Sequence, residues 1–245
     1  MTTDYDPIAE RYKRAKQQPW RTFIECFTLL ECIGDPHGLA VLDIACGEGF
    51  YARLLRQRGA AKVVEIDLSK GMIDLARSQE AQHPLGIEYV VGDAKNLSTE
   101  GSFDMAVAAY LLNYACNPEE LQAMCNAIAT ALKPGGRFVT VNCNPSLHFP
   151  SAPSYRKYQF ETSTLGRWQE GAPIEWTFHL SDGPVTVENY HLNTETHETA
   201  LRQAGFQNIR WHSPRVSPEG LMEDDRGFWS TFLDHSPITF LECWM

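Results

Sequence analysis

Apolar and polar positions along this chain change period repeatedly, and the changes mark its elements. Ile8, Ala9, Tyr12 and Ala15 fall at helical spacing behind Asp6-Pro7, an N-cap acid followed by proline at the first helical position. Pro19 breaks that helix, and Trp20, Phe23, Ile24, Phe27 and Leu30 predict a second one with an apolar stripe. From residue 39 onward short apolar runs alternate with helical patterns. Leu39 to Ala45 reads as a strand buried on both faces, followed by a helix over 49–58, a strand over 62–66 and a helix capped by Ser69 that carries Met72, Ile73 and Ala76. Strands over 87–91 and 103–109 come next. Asn117-Pro118-Glu119-Glu120 then opens the clearest helix, with Leu121, Met124, Cys125, Ile128 and Leu132 on one face until Pro134-Gly135-Gly136, after which a strand runs over 137–143.

There the alternation stops. Residues 144–193 are rich in proline, histidine and aromatics, and 174–180 and 185–192 predict a hairpin turning at Ser181-Asp182-Gly183. A helix around 195–204 with Gly205 as its stop, a strand over 206–212 and a terminal strand from Ile238 to Trp244 complete the pattern. Alternation over 39–143 predicts an α/β fold, a doubly wound parallel sheet with its ligand crevice at the carboxyl ends of the strands. No linker-like tract divides the 245 residues, which therefore read as one domain.

Composition narrows the function classes. A formal charge of −10 argues against a cationic face for nucleic acid. The seven cysteines form no Cys-x-x-Cys pair and no Cys/His cluster at zinc spacing, so buried reduced thiols and no metal are expected. Charged residues interrupt the N-terminus and no run of about 18 apolar residues follows, which predicts a cytoplasmic protein without a membrane partner.

The chemistry starts where the 39–45 strand ends on Asp43 and runs into Ala45-Cys46-Gly47-Glu48-Gly49, small residues that let a ligand approach the backbone. Asp67, 18 residues beyond Gly49, stands where doubly wound folds place an acid for ribose hydroxyls. These two features alone leave a dinucleotide open. Against it, Phe50 occupies the place of the third glycine, and Glu48 sets a negative charge where a pyrophosphate would lie.

Val41 to Gly49, Glu65-Ile66-Asp67-Leu68-Ser69, Val91-Gly92-Asp93-Ala94 and Leu132-Lys133-Pro134-Gly135-Gly136-Arg137 resemble, in order, the motifs of class I S-adenosylmethionine-dependent methyltransferases. The resemblance implies a Rossmann-like, mostly parallel seven-stranded sheet with an antiparallel last strand. It gives Asp67 the ribose, Asp93 and the Ala94 N–H the adenine, and Ala45, Cys46 and Gly47 the methionine arm, with Asp43, Leu68 and Met72 beside the cofactor. It also makes residues 1–34 a helical lid carrying Tyr12, and 144–193 a cap over the substrate. Ala45 and Glu65 depart from the family pattern, which commonly has glycine at both positions. A narrower set, Tyr5-Asp6-x-Ile8-Ala9-x-x-Tyr12, Tyr110-Leu111-Leu112-Asn113-Tyr114 and Phe240-Leu241-Glu242-Cys243, resembles the toxoflavin synthase-like branch, which includes an enzyme methylating ring nitrogens of an azapteridine.

Methyl transfer is largely a matter of positioning, so a dedicated base is optional. Tyr110 and Tyr114 follow the fourth strand at the crevice, Tyr110 as pocket wall and cofactor neighbour and Asn113 as hydrogen-bond partner of the acceptor or as cap of the turn. His148, Trp168, Trp176, His179, Tyr190 and His191 lie in the cap, His179 being the candidate base. Trp211, His212, Trp229 and the cluster Glu223-Asp224-Asp225-Arg226 read as packing and a solvated face. The expected activity is methyl transfer from S-adenosylmethionine to nitrogen or oxygen of a small planar heterocycle, azapteridine-like in the narrower reading, by a monomer or homodimer. The alternatives are a non-catalytic module that binds the same cofactor and an NAD-dependent oxidoreductase.

Overall fold

The apolar runs become central strands because their two-residue period serves two cores at once. Val41, Val63 and Val107 enter one core and their neighbours Leu42, Val64 and Ala106 the other. The computed structural model describes residues 3–97, 101–224 and 226–245. In it β1 (Ala40–Ile44) pairs in parallel with β2 (Lys62–Asp67) on one side and β4 (Phe103–Ala109) on the other. With β3 (Glu88–Val91), β5 (Leu132–Cys143), β9 (Gln207–His212) and β10 (Ile238–Trp244), the seven-stranded order is β3-β2-β1-β4-β5-β10-β9. Only β10 runs against its neighbours, pairing antiparallel with both β5 and β9. The strand order reverses between β1 and β4, which opens the crevice at their carboxyl ends.

Helices cover both faces. α5 (Pro118–Ala131) and α6 (Thr194–Gln203) close one core with Leu121, Ile128 and Leu201. The other core takes α1 (Ala9–Ala15), α2 (Phe27–Ile33) and α3 (Phe50–Gln57), with Met72 from α4 (Lys70–Gln82). β6 (Phe160–Thr164), β7 (Pro173–Leu180) and β8 (Gly183–Tyr190) form a separate antiparallel sheet that joins the same core through Phe160, Trp176, Phe178 and Val187.

Several local expectations are corrected. Leu132 does not belong to α5: the helix ends at Ala131 and Leu132 is already extended and paired with Phe103. Asp6 does not cap its own helix either. A 3-10 turn, Asp6–Ile8, precedes α1, and the Asp6 carboxylate crosses to α4, where Oδ1 accepts from the Gly71 N–H at 2.8 Å and the Ser69 hydroxyl at 2.5 Å. The second helix opens with a π-helical turn, Arg21–Cys26, which buries Arg21 and Glu25 and leaves Phe23 and Phe27 half-exposed. β6, α7 (Pro218–Glu223) and α8 (Arg226–Asp234) were not anticipated. Trp229, on α8, is buried, as its packing role required. Asp225 and the Arg226 side chain lie outside the described residues, so the solvated-face reading holds no structural content there.

Candidate functional site

At the carboxyl edge of the sheet, Asp93, Asp67, Gly47 and Tyr110 follow β3, β2, β1 and β4 in that spatial order. Three strand spacings of about 4.8 Å give roughly 14 Å, the reach of an extended nucleoside with an amino-acid arm. A cavity of about 350 Å³ runs along this edge. Of the residues expected around a cofactor, Tyr12, Ala45, Gly47, Asp67, Leu68, Met72, Asp93, Ala94 and Tyr110 line it.

The floor is a strained loop. Ala45 has φ 57°, Gly47 62° and Gly49 86°, so the chain enters α3 through left-handed residues, one of them not glycine. Asp67 holds this loop: Oδ2 accepts from the Gly47 N–H and Oδ1 from the Ser69 N–H, both at 2.8 Å. Burial raises its pKa against the lowering effect of those two bonds. A side chain at Gly47 would meet Lys16, whose Nζ lies 2.6 Å from the position a Cβ would take. The loop is thus a close-approach cradle, and its neighbours are an acid suited to ribose hydroxyls and an ammonium suited to a carboxylate. These residues fit a phosphate-free, amino-acid-bearing nucleoside.

Lys16 was missed in the sequence, although it stands four residues after Tyr12 and so shares its helical face. Its ammonium pairs with Glu48 at 2.9 Å. That pair corrects the electrostatic argument about Glu48: its charge is compensated and does not by itself repel a pyrophosphate.

Beneath the loop lie two carboxylates that do not reach the cavity. Asp43 and Glu65 are register partners on β1 and β2, both fully buried, and neither accepts a hydrogen bond of ordinary geometry among the described residues, although the Ala52 N–H acts on Asp43 and the Cys46 thiol on Glu65. Burial first, and for Glu65 then the Asp43 charge, push both carboxyl groups up. Gly49 is required above them, since a Cβ there would stand 2.8 Å from Glu65 Oε1. Asp43 and Cys46, expected at the cofactor, therefore support the loop from below rather than line the site.

The far wall is phenolic. Tyr5, Tyr12, Tyr110, Tyr114 and Tyr190 all face the cavity. Tyr5 and Tyr12 meet edge to face at 4.9 Å, and the Tyr5 and Tyr114 hydroxyls are hydrogen-bonded to each other. Tyr110, at φ 66°, donates its hydroxyl to Glu25 Oε2 at 2.5 Å. Glu25 Oε1 accepts from Tyr51 at 2.8 Å, and Arg21 completes the buried group with a 2.8 Å bond to Glu25 Oε2. Arg21 also lies over the rings of Trp20, Tyr110 and Phe178 at 4.7, 5.1 and 5.1 Å.

Two expected catalytic residues are elsewhere. Asn113 sits in the 3-10 turn Leu112–Tyr114 with its amide buried, outside the lining and without a hydrogen-bond partner among the described residues, so it neither faces the cavity nor caps the turn. His179 is on β7, bonded to Glu161 of β6 at 3.1 Å, because strand alternation turns it away from the face that buries Trp176 and Phe178. Of the cap aromatics only Tyr190 lines the cavity. Trp176 packs in the core, and Trp168 stacks on His191 at 4.2 Å. In the N-terminal segment, Thr3, Tyr5, Tyr12 and Lys16 line the cavity, and no residue from 17 to 34 does.

Comparison with known proteins narrows the class. Residues 41–136 match the family described as a methyltransferase domain. The match is to a methyltransferase domain and covers 96 of the 245 residues, 39% of the chain. The N-demethylindolmycin N-methyltransferase of Streptomyces griseus is 26% identical over 174 residues, 69% of this chain and 70% of that protein. The ubiquinone biosynthesis O-methyltransferase of Coxiella burnetii is 34% identical over 110 residues, so that the chain spans 45% of its length and 44% of its own. In fold, the S-adenosylmethionine-dependent methyltransferase from Mesorhizobium loti superposes with a TM-score of 0.66 at 22% identity, over 94% of this chain and 100% of that one. Among the described residues no helix of the chain is long and apolar enough to cross a membrane, and no group of three or more His, Cys, Asp or Glu is arranged to hold a metal.

Proposed function

We propose that this protein transfers the methyl group of S-adenosylmethionine to a nitrogen or oxygen of a small planar heterocycle. The observation that carries the reading is one cavity with a glycine cradle and Asp67 on one side and a wall of tyrosines on the other. In this reading Asp67 takes the ribose hydroxyls, Asp93 and the Ala94 N–H the adenine, Leu68 and Met72 its faces, and Lys16 the cofactor carboxylate. The relatives named above methylate at nitrogen or at oxygen, in keeping with this acceptor class. The azapteridine-like substrate rests on the toxoflavin-branch motifs alone. Residues 3–16 act as lid: Asp6 ties the segment to α4, and Arg11 and Arg14 tie it to the β7–β8 turn through Gly183 and Asp182. The β6–β8 sheet, with Tyr190, closes the acceptor side. The expected locale is cytoplasmic.

The test is calorimetry with S-adenosylhomocysteine, followed by product analysis on a panel of heterocycles. Micromolar binding with methylated product supports the reading. Binding without turnover across the panel favours the non-catalytic module, and NAD binding in place of S-adenosylhomocysteine overturns the assignment.

A further inference from the structure

Among the described residues, every side chain that lines the cavity and can accept a proton is committed or too weak a base, the Cys116 thiol included, which burial first pushes up. None of the described histidines lines it. Asp67 holds two loop N–H groups, and Asp93 Oδ1 accepts from the Lys95 N–H at 2.9 Å. Glu120 accepts from the Cys116 N–H at 3.1 Å, and that bond holds its carboxyl below the ordinary range. Phenols ionise near pH 10 in water, and burial first raises those of Tyr5, Tyr110 and Tyr114 further. Of the carboxyl groups that burial pushes up, Asp67 is held by its two loop N–H bonds, and Asp43 and Glu65 lie under the loop and away from the cavity.

Among the described residues, the cavity also offers no uncompensated cation to an anionic acceptor. Lys16 is paired with Glu48, and Lys95 has Asp93 and Glu120 at 3.9 Å each. Five tyrosines line the cavity, and the faces of such rings attract positive charge.

Resting on the methyltransferase reading, we propose that the acceptor is a nitrogen with a free lone pair, an amine or ring nitrogen of an uncharged planar molecule, and not a hydroxyl that must first be deprotonated. In the step the nitrogen lone pair forms the new N–C bond, the S–C bond breaks and its electron pair stays on sulfur, giving the neutral thioether. The positive charge passes from sulfur to nitrogen within the ring of tyrosines. A hydrogen borne by that nitrogen then leaves as a proton to water, so no base is needed before transfer.

Two measurements test this on the full chain. The S-adenosylhomocysteine complex is titrated by calorimetry with N-methylquinolinium and with methoxynaphthalene, a planar cation and a neutral ether of similar size. The cation is expected to bind about tenfold tighter, and Tyr114→Phe should keep that ratio while Tyr114→Leu lowers it. Equal or tighter binding of the ether overturns the proposal. In turnover with S-adenosylmethionine, aminoindole and hydroxyindole substituted at the same ring position are compared. The amine is expected to react about a hundredfold faster or more, the margin a missing base leaves, and an equal or faster hydroxyl overturns it. Absence of S-adenosylhomocysteine binding, seen before any acceptor is added, overturns instead the methyltransferase reading.

Discussion

Replacing Glu25 with alanine tests how the acceptor wall is held. Glu25 is 3% exposed and accepts three hydrogen bonds, from Arg21, Tyr51 and Tyr110, at 2.8, 2.8 and 2.5 Å. Its loss leaves the Arg21 guanidinium, itself 4% exposed, without a counter-charge, and breaking a buried pair in this way costs about 3–5 kcal/mol. Two buried hydroxyls also lose their acceptor, at roughly 1–3 kcal/mol each before relaxation. Because these contributions share one site they do not add, and a total of about 4–6 kcal/mol is expected. For a chain of this size that corresponds to a drop in Tm of roughly 10–20 °C.

Thermal and urea unfolding of four variants separates the parts. Arg21→Met with Glu25→Met removes both charges and keeps apolar volume, so the pair should regain about 3 kcal/mol over the single Glu25→Met while keeping the hydroxyl loss. Glu25→Gln retains one carbonyl acceptor and should fold well enough for ligand work. There, acceptor binding should weaken more than S-adenosylhomocysteine binding, since losing the charge and one acceptor oxygen loosens the hold on Tyr110 and leaves the Asp67 loop intact. The reasoning is refuted by a Glu25→Ala cost below about 1 kcal/mol, or by a double variant no more stable than Glu25→Met.

Three further outcomes are expected. Asp67→Ala should weaken S-adenosylhomocysteine binding by about 1.5–3 kcal/mol by calorimetry, and an unchanged Kd rejects Asp67 as the ribose ligand. Asp43 and Glu65 have raised pKa values in the folded chain, so their stability penalty is absent below the unfolded value near pH 4 and grows as pH rises through the folded values. Glu65→Gln should therefore leave the urea midpoint near wild type at about pH 5 and stabilise by on the order of 1–3 kcal/mol at about pH 8; a pH-independent difference rejects the buried pair as the cause. Asp6→Ala, which releases the N-terminal segment from Gly71 and Ser69, should speed tryptic cleavage at Lys13 and Arg14 without moving the unfolding midpoint, and an unchanged cleavage rate removes the latch.

What the sequence disclosed and what it hid divide along one physical line. Elements whose burial follows a local period were legible: β1, β2 and β4 from continuous apolar runs, α4 and α5 from caps that form as read, with Ser69 Oγ accepting from the Met72 N–H and Asn117 Oδ1 from the Glu120 N–H. The cradle side of the cavity was legible for the same reason, since Gly47, Asp67 and Asp93, which line it, sit at fixed offsets from strand ends. β6 gave little signal because only Phe160 of its five residues is fully buried, while α7 did carry one, Ser217-Pro218, whose hydroxyl accepts from the Gly220 N–H.

The tyrosine wall and its supports are assembled from residues far apart in the chain, and no local period encodes that. Tyr5 meets Tyr114 across 109 positions, Glu25 meets Tyr110 across 85, and Lys16 meets Glu48 across 32. Each partnership pairs a polar group that is unremarkable by itself with another that becomes buried only after the sheet has formed. His179 fails as a base by the converse logic: its residue type suited the chemistry, and its parity on β7 faced it toward Glu161 instead. The specificity of the site therefore depends on the register of β6–β8 and on the π-helical turn that buries Arg21 and Glu25. A one-residue slip in that register would turn Tyr190 away from the cavity without altering the glycine cradle.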